Sequence, residues 1–129
     1  MNAPLDRILT DLAAALGRLE EALLAPRTAL NRDASIQRFE FTFELFWKAL
    51  KVFAEEQGLR VFSPRESLRA GYRLGLLPDE QSVLRMLEDR NKTSHLYNEA
   101  MAEDVYQRLA AYAELMSKAT GRLPGAGGG

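Results

Sequence analysis

Apolar residues recur every three or four positions along most of this chain, the period of a helix that buries one face. Leu5, Ile8, Leu9, Leu12, Leu16, Leu19 and Leu23 trace the first stripe, over about residues 5 to 24. Pro26 lies just beyond and should end it. A short polar connection, "RTALNRD", is expected next, and then a second helix from Ser35 to about Gln57 with Gly58 as its stop. One stripe of that helix is Ile36, Phe39, Phe43, Phe46, Leu50 and Phe53; a second apolar set, Phe41, Leu45, Trp47 and Val52, points elsewhere. A helix apolar on two faces is covered on two sides. The bundle can cover one face, and a partner subunit could cover the other. Between the two faces Glu40, Glu44 and Lys48 repeat at four-residue spacing. They suit surface ion pairs worth roughly a few tenths of a kcal/mol each, or a polar wall of a site.

"SPRE", from Ser63 to Glu66, is a capping box with proline at the first helical position, and predicts a short third helix ending near Gly75. Pro78 and Asp79 open a fourth helix, with Val83, Leu84 and Leu87 facing inward. Asn98 can cap a fifth, carrying Ala102, Val105, Tyr106, Leu109, Tyr112, Leu115 and Met116 and stopped by Gly121. No strand pattern and no repeat competes. The expectation is all-α: an antiparallel up-and-down bundle of four long helices and one short helix, dimeric. It would be a single domain over residues 1–121, followed by a flexible Gly-rich tail over 122–129.

Composition narrows the function. Seventeen basic residues face eighteen acidic ones, so no global positive field marks a duplex DNA binder. The absence of cysteine removes disulfides, thiolate metal sites and cysteine nucleophiles. No apolar run approaches the roughly 18 residues that span a bilayer, and "MNAPLDRILTDL" is not a secretory signal. A cytoplasmic protein with no membrane association is expected. No glycine-rich phosphate loop, nucleophile elbow or calcium or magnesium ligand spacing is present, so no cofactor and no metal are expected.

The stretch "DRNKTSHLY", residues 89 to 97, holds the only histidine. Imidazole is the side chain that exchanges protons readily near neutral pH. Arg90 offers a planar donor fork suited to phosphate oxygens, and the Asn91 amide could orient either group. The same residues also read as an arginine favouring a helix C-terminus and a polar histidine in a loop.

Arg90-Asn91-Lys92-Thr93-Ser94-His95 matches R-x4-H, the signature of the HEPN superfamily, and with Tyr97 it becomes the R-x4-H-x-Y form of HepT-like proteins. "IQRFEFTFELFWKALK" (36 to 51) looks like the second-helix signature of the nucleotidyltransferase substrate-binding subfamily; "SPRESLRAGYRLGLL" (63 to 77) and "MLEDRNKTSHLYNEAMAEDVY" (86 to 106) continue the pattern. The resemblance covers residues 5 to about 118. Lys92 departs from it, standing where many relatives have an apolar residue. The resemblance implies a helical bundle that forms a homodimer, a metal-free ribonuclease site at the dimer cleft in toxin members, and a minimal nucleotidyltransferase as antitoxin partner. In characterised relatives that partner attaches AMP to the tyrosine of the motif, here Tyr97. A phosphate there is expected within reach of Arg90.

Two readings follow. In the first the chain is a metal-independent ribonuclease, with Arg90 and His95 catalytic, Asn91, Glu44 and Lys48 supporting, and RNA as substrate. Phosphodiester cleavage by a 2′-hydroxyl needs both a base and an acid. One chain has one histidine, and a two-fold dimer that brings both copies of His95 to one cleft supplies base and acid together. In the second, the chain is a non-catalytic substrate-binding subunit in which Arg90, Asn91 and His95 hold an anionic or nucleotide group. An inert dimeric bundle is the third and plainest possibility.

Overall fold

A computed structural model describes residues 3–124. Among them run five α-helices and one 3-10 turn, with no strand: α1 (Ala3–Leu24), α2 (Ala29–Glu56), α3 (Pro64–Arg73), α4 (Glu80–Lys92), the 3-10 turn (Thr93–His95) and α5 (Glu99–Gly121). The all-α bundle expected from the apolar periodicity is the fold that forms. No helix of the described residues is long and apolar enough to cross a membrane.

The leucine stripe of α1 meets the phenylalanine stripe of α2. Leu12, Leu19, Phe39, Phe43 and Phe46 are all fully buried. The two helices are antiparallel: Arg38 donates to the carbonyl of Arg18, while the Thr42 hydroxyl, four residues later, reaches the carbonyl of Ala15, three residues earlier. α5 lies along α2, where Tyr112 stacks on Phe39 at 5.6 Å between ring centroids. α3 leans on the C-terminal part of α2. There Gly71 allows a close approach that a side chain would obstruct, since an added Cβ would sit 3.0 Å from Leu77 Cδ1 and 3.3 Å from Leu50 Cδ1. α4 follows, and its C-terminal end is tied to α5 through Asp89. Local chemistry sets the boundaries. Ser63, Asp79 and Asn98 cap α3, α4 and α5 by accepting from the backbone N–H three residues on. Gly58 and Gly75 take positive φ just past α2 and α3.

Four features differ from the expectation. α2 begins at Ala29 rather than near Ser35, because Thr28 is its cap, accepting from the Asn31 N–H at 3.1 Å. The polar segment expected as a connection is therefore helical, and its Arg32 is buried rather than solvated. Leu84 is only partly buried; Met86 and Asp89 occupy inward positions beside Val83 and Leu87. On the second face of α2, Leu45, Trp47 and Val52 pack against the chain's own core, and Phe41 alone stays exposed, at 63 %. In the segment expected to be a flexible tail, Leu123 is buried and Arg122 donates to the Leu76 carbonyl; residues 125–129 lie outside the described residues.

Candidate functional site

Arg90 stands in the last turn of α4, where a cation suits the negative end of the helix. The helix does not stop there but tightens into the 3-10 turn. The carbonyl of Arg90 accepts from the Thr93 hydroxyl and from its backbone N–H, and the carbonyl of Asn91 accepts from Ser94. These bonds occupy acceptors that a bare helix end would leave open. Leu96 then turns the chain, and Asn98 starts α5. His95 and Tyr97 thus lie on a six-residue strap between two capped helices.

Arg90 reaches across to α2. Its Nη2 donates to Glu44 Oε1 at 2.6 Å, and its Nε is buried with no hydrogen-bond partner. Glu44 also accepts from the Trp47 indole N–H at 3.2 Å, and Lys48 Nζ lies 3.7 Å from its other oxygen. The sequence stripe of Glu44 and Lys48 is therefore the wall against which Arg90 is held. Two cations and one carboxylate leave a local charge of +1. The carboxylate anchors one end of the guanidinium, which limits the rotamer freedom it would lose on meeting a phosphate.

His95 and Tyr97 form a second, separate unit. Nδ1 of His95 is 2.8 Å from the Tyr97 hydroxyl, and both side chains are exposed, Tyr97 at 78 %. The phenol donates when the imidazole carries its proton on Nε2; Nδ1–H donates to the phenol oxygen in the other tautomer. The Tyr97 hydroxyl meets His95 Nδ1, while Arg90 Nη2 donates to Glu44. Asn91 joins neither unit; its side chain is exposed. Among the described residues no group of three or more His, Cys, Asp or Glu is placed to hold a metal ion.

Asp89 was missed by the sequence reading. It is 1 % exposed and accepts from Arg108 Nε at 2.6 Å, from Arg108 Nη2 at 2.9 Å, and from the Tyr112 hydroxyl. Burial alone would raise this carboxyl, but the hydrogen bonds of Arg108 and Tyr112 outweigh it and hold it below the usual range. Burial and the bond to Asp89 push the Tyr112 phenol up. Arg108 is held in turn by Asp104, whose carboxyl it lowers. The cluster clamps the end of α4 onto α5, immediately before Arg90. The signal was present: Asp89 lies three residues after buried Met86, a register in which a polar side chain needs buried partners.

A family model described as "Nucleotidyltransferase substrate binding protein like" matches residues 7–124. The curated "Probable ribonuclease HepT" of Haemophilus influenzae is 30 % identical over 80 residues, an alignment covering 58 % of this chain and 55 % of that protein. The chain thus spans about half the length of that relative. A crystal structure of a protein from Thermus Thermophilus is similar with a TM-score of 0.82 at 42 % identity, covering 88 % of this chain and 98 % of that one. A match over nearly the whole chain, a shared fold and the Arg90–His95–Tyr97 spacing agree: the chain belongs to the nucleotidyltransferase substrate binding protein like family, a HepT-like family of HEPN type.

Proposed function

We propose that this protein is a metal-independent ribonuclease that acts as a homodimer, is paired as toxin with a small nucleotidyltransferase, and is silenced when that partner attaches AMP to Tyr97. The observation that carries the reading is the contact of 2.8 Å between His95 Nδ1 and the Tyr97 hydroxyl on an exposed strap. It puts the only proton-exchanging imidazole and an accessible phenol nucleophile side by side.

In cleavage, Nε2 of one His95 takes the proton of an RNA 2′-hydroxyl while Nδ1–H donates to Tyr97. The 2′-oxygen attacks the adjacent phosphorus, and the bond to the 5′-oxygen breaks. Protonated His95 of the second copy gives its proton to that leaving oxygen. The products are a 2′,3′-cyclic phosphate and a 5′-hydroxyl, and no water is consumed. Arg90, oriented by Glu44 and seconded by Lys48, stabilises the charge on the phosphate. In silencing, the Tyr97 oxygen attacks the α-phosphorus of ATP, pyrophosphate leaves, and the phenolic proton passes to Nδ1 or to water. The new phosphorus is then one bond from the oxygen that touches His95, so the imidazole faces a tethered phosphate instead of RNA.

His95→Ala and Arg90→Ala should each lower RNA cleavage by about 100-fold or more. Intact mass should rise by whole AMP units on incubation with the partner, ATP and magnesium, and Tyr97→Phe should prevent the rise while sparing most cleavage. Cleavage that survives His95→Ala would overturn the ribonuclease assignment. A mass increase that survives Tyr97→Phe would move the acceptor elsewhere. The ion pair of Arg90 with Glu44 favours a second reading. A guanidinium anchored at one nitrogen is also a receptor for a nucleotide phosphate, as in a substrate-binding subunit. Saturable nucleotide binding at Arg90 without any RNA cleavage would support that reading.

A further inference from the structure

We infer that the cleft beside Tyr97, between the N-terminal turns of α2 and α5, is a nucleoside-binding subsite that receives the base and ribose of a nucleotide carried on Tyr97. This deepens the silencing half of the proposed function and rests on it. The cleft has a volume of about 490 Å³ and is lined by Tyr97 itself, within the roughly 300–1,000 Å³ of small-ligand sites. It contains neither Arg90 nor His95 and so is distinct from the phosphate-handling groups.

Its lining is divided as a nucleoside is divided. Ile36, Leu96 and Ala102 supply an apolar floor, with Ile36 and Ala102 themselves almost buried. Asp33 and Glu99 supply carboxylates on the rim, both largely exposed. Arg32, 7 % exposed, holds them in place: its Nε donates to Asp33 Oδ1 at 3.1 Å, its Nη1 to Glu99 Oε2 at 3.1 Å and its Nη2 to Glu99 Oε1 at 3.3 Å. Asp33 Oδ2 accepts nothing from Arg32, and each Glu99 oxygen keeps a lone pair. Fixed carboxylate acceptors are the groups that take the hydroxyl donors of ribose.

The charge balance decides which part of a nucleotide can enter. One cation and two carboxylates give the lining a net charge of −1, which repels phosphate and tolerates an uncharged base and sugar. Phosphate is favoured at the other end of Tyr97, where its oxygen meets His95. One side chain thus joins a place for phosphate to a place for nucleoside. A nucleotide esterified to Tyr97 can fold back into the cleft without passing its phosphate over the acidic rim.

The test uses the full chain and free AMP, followed by backbone amide resonances. Millimolar AMP should shift the amides of Asp33, Ile36, Glu99 and Ala102 saturably, and inorganic phosphate should not. Asp33→Asn, which leaves both Glu99 bonds of Arg32 in place, should weaken this response about tenfold, the loss expected for a hydrogen bond to a charged group. Ala102→Leu, which fills the floor, should abolish it; the rim change keeps the test decisive if that variant fails to fold. Protein already carrying AMP on Tyr97 should show the cleft shifts without added ligand. A response absent from the cleft, or equal for AMP and phosphate, overturns the subsite even if Tyr97 is modified. A cleft response to AMP in a protein whose Tyr97 is never modified keeps the subsite and overturns the silencing reading instead.

Discussion

Replacing Asp89 with asparagine should destabilise the fold by about 3 kcal/mol, although Asp89 touches no proposed substrate. Removing one partner of a buried ion pair costs about 3–5 kcal/mol, because the other charge stays buried without compensation. Here Arg108 keeps two bonds to the exposed carboxylate of Asp104, which places the loss at the low end of that range. Asparagine still offers one oxygen, but in either orientation its amide N–H₂ faces a guanidinium N–H of Arg108, which cannot accept it.

Trp47, the only tryptophan, is half-buried on α2 and reports the unfolding. In urea, with a slope of about 1.5–2 kcal/mol per M, the midpoint should fall by about 1.5–2 M at fixed protein concentration. The pH dependence adds a sign. The Asp89 carboxyl is lowered in the folded state, so its stabilisation is complete above the unfolded value of about 3.9 and is lost as pH falls through the folded one. Asp89→Asn has no such group to protonate. The two midpoints should be furthest apart near neutral pH and converge in acid. A midpoint shift under about 0.5 M, or a gap that stays constant into acid, would refute the clamp.

Two further outcomes are expected. Light scattering of the purified protein at micromolar concentration should give twice the 14.5 kDa of the chain, and a clean monomer would remove the composite site. RNA cleavage should persist in EDTA; activity that vanishes with EDTA and returns with magnesium would replace the proton-transfer mechanism with a metal-assisted one.

The elements that were legible in the sequence are those whose ends are set locally. Ser63, Asp79 and Asn98 are capping residues at the start of apolar periods, and Gly58 stands at the end of one, so the starts of three helices and the end of another could be placed from neighbours alone. The start of α2 was missed although Thr28 is a local cap of the same kind; what no local window contains is the burial of Arg32, which depends on Glu99, 67 positions away. The same division runs through the site. Arg90, His95 and Tyr97 stand out by motif spacing, and Glu44 and Lys48 by their stripe. That Glu44 takes Arg90 follows from how α2 lies across the end of α4; that Tyr97 takes His95 follows from the turn of the strap they share. Asp89 was written in the register of α4, but only its partners on α5 say what it does.

If each cleavage centre uses His95 from both copies, the arithmetic of silencing changes. A site built within one chain loses activity in proportion to the modified fraction. A composite site fails when either Tyr97 carries AMP, because its base or its acid then faces a tethered phosphate. With random modification, active dimers are those with both copies untouched, and their share is the square of the unmodified fraction. At half modification a single-chain site retains about half its activity and a composite site about a quarter (half of a half). Exchange of subunits must be complete before the assay, which mixing modified and unmodified protein at known ratios, followed by incubation, achieves. Plotting RNA cleavage against the modified fraction from intact mass separates the two curves most clearly in the middle of the range. A straight line would mean that one His95 performs the chemistry without its twin, and the two-fold cleft would lose its reason to exist.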